Sequence, residues 1–231
     1  MTDVAANVAR VRERIAAAAR RCGRPADEVT LVAVTKGVDP SRVLAAATCG
    51  VTDFGENRVQ EAVPKITALR GQGLSAARYH MIGHLQRNKA RQAVQVFAVV
   101  HTLDSASLAA ALSQRAAAGG RVVDVLVQVN VVREPQKSGV APDALPSVLR
   151  DAAALPALRV IGLMTIAPQA DDPERARPVF RRLRELRDGL VRADAASSLA
   201  ELSMGMSDDF EVAVEEGATL VRIGRAIFGP R

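Results

Sequence analysis

Leu31-Val32-Ala33-Val34-Thr35-Lys36 is a short apolar, β-branched run that ends in a lysine, and the fold can be worked out from it. Period-two alternation puts Val32, Val34 and Lys36 on one face of a strand and Leu31, Ala33 and Thr35 on the other. Comparable runs recur outward along the chain at 51–55, 79–83, 99–103, 123–131, 160–165, 201–205 and 219–224, making eight in all. Helix-like stretches fill the intervals. Asp39-Pro40 opens one that Gly50 closes, Asp104 opens another that Gly119-Gly120 closes, and Ser207 opens a third that Gly217 closes. Strands that alternate with helices run parallel with helical crossovers. Eight repeats therefore predict a single-domain (β/α)8 barrel over residues 1–231. The alternative is an open doubly wound sheet, which places a G-x-G-x-x-G turn after its first strand; Thr35-Lys36-Gly37-Val38 carries one glycine. Ahead of the first strand, Val4, Val8, Val11 and Ile15 keep helical spacing, predicting an extra N-terminal helix over 3–21 rather than an export signal. Pro64 and Pro178 fall inside helical stretches and predict kinks.

Composition narrows the function classes. Hydrophobic residues are 48% and charged residues 24%, as in soluble globular proteins, and no run approaches the ~20 apolar residues of a spanning helix. Aromatics are 3%, with no tryptophan and one tyrosine, so a nucleic-acid site built on stacked bases lacks its material. The net charge of +6 invites a polyanion, but the arginines concentrated at 175–192 alternate with acids, as on a solvated helix face. Neither nucleic acid nor membrane is expected as a partner. Cys22 and Cys49 form no C-x-x-C and point to a reducing compartment, with the cytoplasm as the expected location.

Barrel enzymes build their sites where strands end. The polar residues at those ends are Lys36, then Glu56, Asn57 and Arg58, then His80 and His84, then Thr165, then the Ser203–Ser207 turn, and finally Arg222, Gly224 and Arg225. A lysine in the barrel mouth is desolvated, which raises the neutral-amine fraction that attacks an aldehyde; an ordinary strand-end lysine is the plainer reading. Arg222 interrupts the apolar Thr219-Leu220-Val221-Arg222-Ile223-Gly224 and requires either a structural carboxylate or a ligand acceptor. The loops after the seventh and eighth strands are the usual phosphate cradle of such a barrel, although Asp208 and Asp209 would repel phosphate unless they turn away. His80 and His84 lack a compact third ligand, so no metal site is expected.

Seven segments in order strengthen these readings: Leu31-Val-Ala-Val-Thr-Lys36, Phe54-Gly-Glu-Asn-Arg58, Tyr79-His-Met-Ile-Gly-His-Leu-Gln86 with Asn88-Lys89, Glu134-Pro-Gln-Lys-Ser-Gly139, Gly162-Leu-Met-Thr165, Leu202-Ser-Met-Gly-Met-Ser207 and Val221-Arg-Ile-Gly224. Together they resemble the pyridoxal phosphate homeostasis family, small relatives of the barrel domain of alanine racemase. The resemblance implies an alanine-racemase-type barrel in which Lys36 holds pyridoxal 5′-phosphate as a Schiff base. It implies that Ser203, Gly224 and the backbone of Arg225 hold the phosphate, that Arg222 faces the pyridine nitrogen, that Asn57 and Met204 line the pocket, and that Ser207 belongs to the cofactor-binding set. Tyr79 and Met81 stand where the family more often has Trp and Phe, and Arg225 where it often has Thr. The implied role is cofactor storage and delivery in a cytoplasmic monomer, with pyridoxal-phosphate-dependent apo-enzymes as recipients and without strong turnover. The racemase takes its second acid/base from an extra domain, for which 231 residues leave no room. The rivals are an amino-acid racemase or lyase, a Schiff-base aldolase of phosphosugars, and a nucleic-acid module.

Overall fold

In the computed structural model, which describes residues 3–134, 136–193 and 199–230, the first element is a helix, α1 (Val4–Arg21). Asp3 caps it by accepting the Ala6 N–H, and Val4, Val8, Val11 and Ile15 form its buried face, as their spacing predicts. Then follow β1 (Thr30–Val34), α2 (Pro40–Thr48), β2 (Asp53–Glu56), α3 (Val59–Gly71), β3 (Arg78–Met81), α4 (Ala90–Val96) and β4 (Val99–Leu103). The chain continues through α5 (Ala106–Ala118), β5 (Val123–Gln128), α6 (Leu145–Ala153), β6 (Leu158–Met164), α7 (Arg177–Arg192), β7 (Glu201–Ser203), α8 (Phe210–Glu215), β8 (Leu220–Ile223) and α9 (Arg225–Phe228). The eight strands are parallel, pair in chain order and close on themselves where Leu31 and Val32 of β1 pair with Val221 and Arg222 of β8. This is the predicted (β/α)8 barrel, and closure excludes the open sheet.

Two apolar layers result. Val32, Val99, Leu126, Met164 and Leu220 pack inside the barrel, whereas Ala33, Phe54, Tyr79, Leu163, Leu202 and Val221 face the outer helices. The split between Val32 and Ala33 follows from strand alternation. Pro64 lies within α3, which runs through it. Pro178 corrects the expectation of a kink: it sits in the first turn of α7, where its missing N–H costs no helical hydrogen bond, so it starts the helix.

The arginines of α7 belong to an ion-pair network. Arg177 binds Glu174, Glu215 and Glu216, and Arg181 donates to Glu216 at 2.9 Å. Glu216 is buried; burial pushes its carboxyl up, but the bonds from Arg181 and Arg177 outweigh this and hold it below the usual carboxylate range. Among the described residues, no helix is long and apolar enough to cross a membrane, and no group of three or more His, Cys, Asp and Glu side chains is placed to hold a metal ion.

Candidate functional site

At the C-terminal mouth of the barrel lies a cavity of about 640 Å³, within the range of small-molecule sites. Strand β1 carries Val34 and, just beyond its end, the half-buried Lys36 into its wall. Asn57 enters from the end of β2. The turn after β7 contributes Met206, Ser207, Asp208 and Asp209, and the end of β8 contributes Arg222, Gly224 and Arg225. The loop after β6, from 166 to 170, closes one side. Lys36, Asn57, Ser207, Arg222, Gly224 and Arg225, all picked from the sequence, therefore meet at one cavity.

Two other expected residues lie elsewhere. Ser203 is fully buried beneath Arg222: its Oγ accepts from Arg222 Nη1 at 2.6 Å and lies 2.8 Å from His101 Nδ1. Met204 is fully buried in the outer apolar layer. Neither side chain reaches the cavity wall.

Arg222 is almost completely buried, and its guanidinium donates to Ser203 Oγ and, at 3.0 Å, to the Thr165 carbonyl. Both acceptors are neutral. Burial pushes the guanidinium down to about 10, with Asp209 opposing the shift, so Arg222 remains a cation at neutral pH. Asp209 accepts the Met206 N–H at 2.6 Å; burial raises its carboxyl despite that bond and the nearby Arg222. Asp208 pairs with Arg225, so the two acids that would repel an anion are both engaged. Ser207 Oγ lies 3.4 Å from the Ala226 N–H, which joins the β7 turn to α9.

Local backbone geometry sets these positions. Gly205 has a φ of +90°, and a Cβ there would stand 2.5 Å from that of Ala213, so only glycine lets the turn pass beneath α8. Gly83 packs so closely on Asn57 that a Cβ would meet the Asn57 carbonyl at 2.2 Å. Asn57 Oδ1 is buried without a hydrogen-bond partner among the described residues. Glu56, beside it, is not a ligand candidate: it accepts from Lys65 and from Thr35 Oγ1, both at 2.8 Å. Arg58 is exposed and pairs with Glu61, and His84 is exposed beside Asp104. In the 134–139 segment Lys137 pairs with Glu134, while Pro135 lies outside the described residues.

Sequence reading passed over Asp53 and His101. Asp53 Oδ1 lies 2.8 Å from His80 Nε2, and His80 Nδ1 lies 2.8 Å from His101 Nε2. For His101 the available signal was an imidazole at the centre of the largely apolar strand Val99–Leu103.

A closed parallel barrel with a lysine, a buried arginine and a serine–glycine turn around one mouth cavity defines a small-molecule-binding barrel protein. Residues 6–231 match the family described as the alanine racemase N-terminal domain. The pyridoxal phosphate homeostasis protein of Aquifex aeolicus (strain VF5) is 45% identical over 97% of this chain and 96% of its own. That of Escherichia coli (strain K12) is 40% identical over 100% and 98%. Among solved structures, PipY of Synechococcus elongatus PCC7942 with PLP bound superposes with a TM-score of 0.81 at 36% identity, covering 95% of this chain and all of that one. Alanine racemase of Clostridium difficile 630, at 14% identity and a TM-score of 0.75, shares the fold over 99% of this chain and 57% of its own. The chain belongs to the pyridoxal phosphate homeostasis family within the alanine racemase N-terminal domain family.

Proposed function

We propose that the chain binds pyridoxal 5′-phosphate in the mouth cavity as a Schiff base on Lys36, and that it stores and delivers the cofactor without rapid turnover. The observation that carries this reading is the convergence of Lys36, Arg222 and the Ser207–Gly224–Arg225 corner on one cavity. The residues fit the group. An amine suits the aldehyde, a hydroxyl and the first N–H groups of α9 suit a phosphate, and the unsatisfied Asn57 Oδ1 suits a phenolic hydroxyl.

When bound, the cofactor supplies an electrophilic carbon and an electron-withdrawing ring. Lys36 Nζ is the nucleophile. Ser207 and the backbone at Gly224 and Arg225 hold the phosphate, with Ser203 and Met204 acting from behind the wall rather than in it. Arg222 donates an N–H to the pyridine nitrogen. A guanidinium gives up no proton near neutral pH, so it leaves that nitrogen unprotonated and limits carbanion chemistry. The working unit in this reading is one barrel domain, a cytoplasmic monomer whose recipients are pyridoxal-phosphate-dependent apo-enzymes. Borohydride reduction of the cofactor-loaded protein followed by peptide mapping tests the assignment. The expected pyridoxyl-phosphate mass is on the Lys36 peptide, and label on Lys65, Lys89 or Lys137 instead overturns it.

A further inference from the structure

Five buried side chains from five strands form one hydrogen-bonded line through the barrel. It runs from Arg222 on β8 to Ser203 on β7, His101 on β4, His80 on β3 and Asp53 on β2, with contacts of 2.6, 2.8, 2.8 and 2.8 Å. Strands β7 and β4 are not neighbours in the barrel order, so the Ser203–His101 contact spans the lumen. One end is in the mouth cavity. The other, Asp53, opens β2 at the N-terminal rim, where Thr52 Oγ1 donates to it at 2.7 Å and Arg78 lies 3.6 Å away.

The chemistry of the two ends fixes the protons between them. An arginine only donates, and an ionised carboxylate only accepts. Burial alone would raise the Asp53 carboxyl, but the bonds from His80 and Thr52 outweigh it and keep the group ionised at neutral pH. Burial lowers both imidazoles, His101 more strongly because His80 and Arg222 add to the effect, so both rings are neutral. His80 then donates from Nε2 to Asp53 and accepts at Nδ1 from His101 Nε2–H. His101 accepts at Nδ1 from the Ser203 hydroxyl, whose oxygen receives Arg222 Nη1–H. All four bonds point the same way. Arg78 and Asp124 are the charges flanking the rim end, and Asp209 the charge beside Arg222.

We propose that Asp53, His80 and His101 are positioning residues that act through Ser203 to hold Arg222 as a fixed donor toward the mouth cavity. The hydrogen bonds of Arg222 to Ser203 and Thr165 end on neutral oxygens, with Asp209 as a charge nearby; the line adds a negative end and a single direction. Its consequence for pyridoxal 5′-phosphate rests on the ligand assignment above, whereas the direction of the line does not.

The full-length protein labelled with ¹⁵N-histidine gives a readout that needs no cofactor. Two histidines are expected as neutral Nε2–H tautomers at pH 7, and a Nδ1–H tautomer or an imidazolium at either His80 or His101 overturns the proposal. Asp53→Asn keeps the shape but removes the obligate acceptor, so the tautomers should mix. In the same variant, pyridoxal 5′-phosphate should bind roughly threefold to tenfold more weakly, as coupled neighbours do, with a displaced visible absorption maximum. Mixed tautomers with unchanged affinity and spectrum would also overturn it. If Asp53→Asn does not fold, His101→Gln takes its place in the binding and spectral comparison: weaker binding with a displaced maximum is again expected, and no change in either again overturns the proposal. A native protein that shows the tautomers yet takes no cofactor would sink the ligand assignment and leave the direction of the line standing.

Discussion

Ser203 and Ser207 are separated by three residues, yet they meet different surroundings. Ser207 borders the cavity, whereas Ser203 is committed to Arg222 and His101. Ser207→Ala should therefore weaken binding of pyridoxal 5′-phosphate by about 1.5–3 kcal/mol, the worth of a hydrogen bond to a charged group, and leave unphosphorylated pyridoxal much less affected. Ser203→Ala should weaken both ligands alike, because it acts on Arg222. Calorimetric titration of both variants with both ligands checks this, and a phosphate-selective loss in Ser203→Ala would return that serine to the phosphate. Arg222 carries the second expectation at this scale. General acid–base help is worth 10²- to 10⁴-fold, and in the proposed binding mode a donor-only arginine beside the ring nitrogen would withdraw the electron sink as well. Proton exchange at the α-carbon of L- and D-amino acids in heavy water should be orders of magnitude slower than in a dedicated racemase. Enzyme-like rates that vanish in Lys36→Ala would favour the racemase or lyase reading.

Elements explain what was legible. The alternation in Leu31–Lys36 placed Val32 and Val34 correctly because a strand's period is fixed at two. It could not place Ser203, because β7 has only three residues and the tilt of the barrel decides how deep each inward side chain lies. The polar line was hidden for a related reason: its members share no sequence spacing and are joined only by closure. Its pH dependence follows from burial. The folded protein keeps His80 and His101 neutral below their ordinary 6.5, so the unfolded chain binds more protons as pH falls beneath that value. The stability they contribute is whole above pH 6.5 and declines as pH drops toward the lowered folded values. The Glu216 network adds a second loss with the same sign, present above the ordinary 4.5 and lost as pH falls through the depressed folded value. Chemical denaturation from pH 8 down to well below 4.5 should show stability falling in these two stages. Glu216→Gln should cost about 1–3 kcal/mol at pH 7 and remove the lower stage; a flat profile between pH 7 and 5 would mean the two imidazoles are not held neutral.

For the whole molecule, the decisive contact is closure. Lys36 and Arg222 stand far apart in the chain but line one cavity because β1 pairs with β8, Val32 opposite Arg222. The N-terminal helix reinforces the same seam: Asn7 Nδ2 donates to the Ile227 carbonyl of α9 at 2.8 Å, and Arg42 of α2 reaches the Phe228 carbonyl. A ligand bonded to Lys36 and held at Gly224 and Arg225 would span that seam and could be gripped only when the barrel is closed. It should therefore stabilise the folded state by mass action, about 2.7 kcal/mol at a free concentration of 100 times Kd. For a chain of this length each kcal/mol moves the thermal midpoint by about 2–4 °C, so loading should raise it by about 5–10 °C and keep raising it as cofactor is added. Pyridoxal at the same concentration, lacking the phosphate grip, should raise it far less. Lys36→Ala should lose most of the gain while keeping the midpoint of the cofactor-free protein, since the side chain is half-buried at the mouth rather than packed in the core. Thermal unfolding followed by circular dichroism over a cofactor series distinguishes the outcomes: an equal rise in Lys36→Ala would place the stabilising bond away from the end of β1.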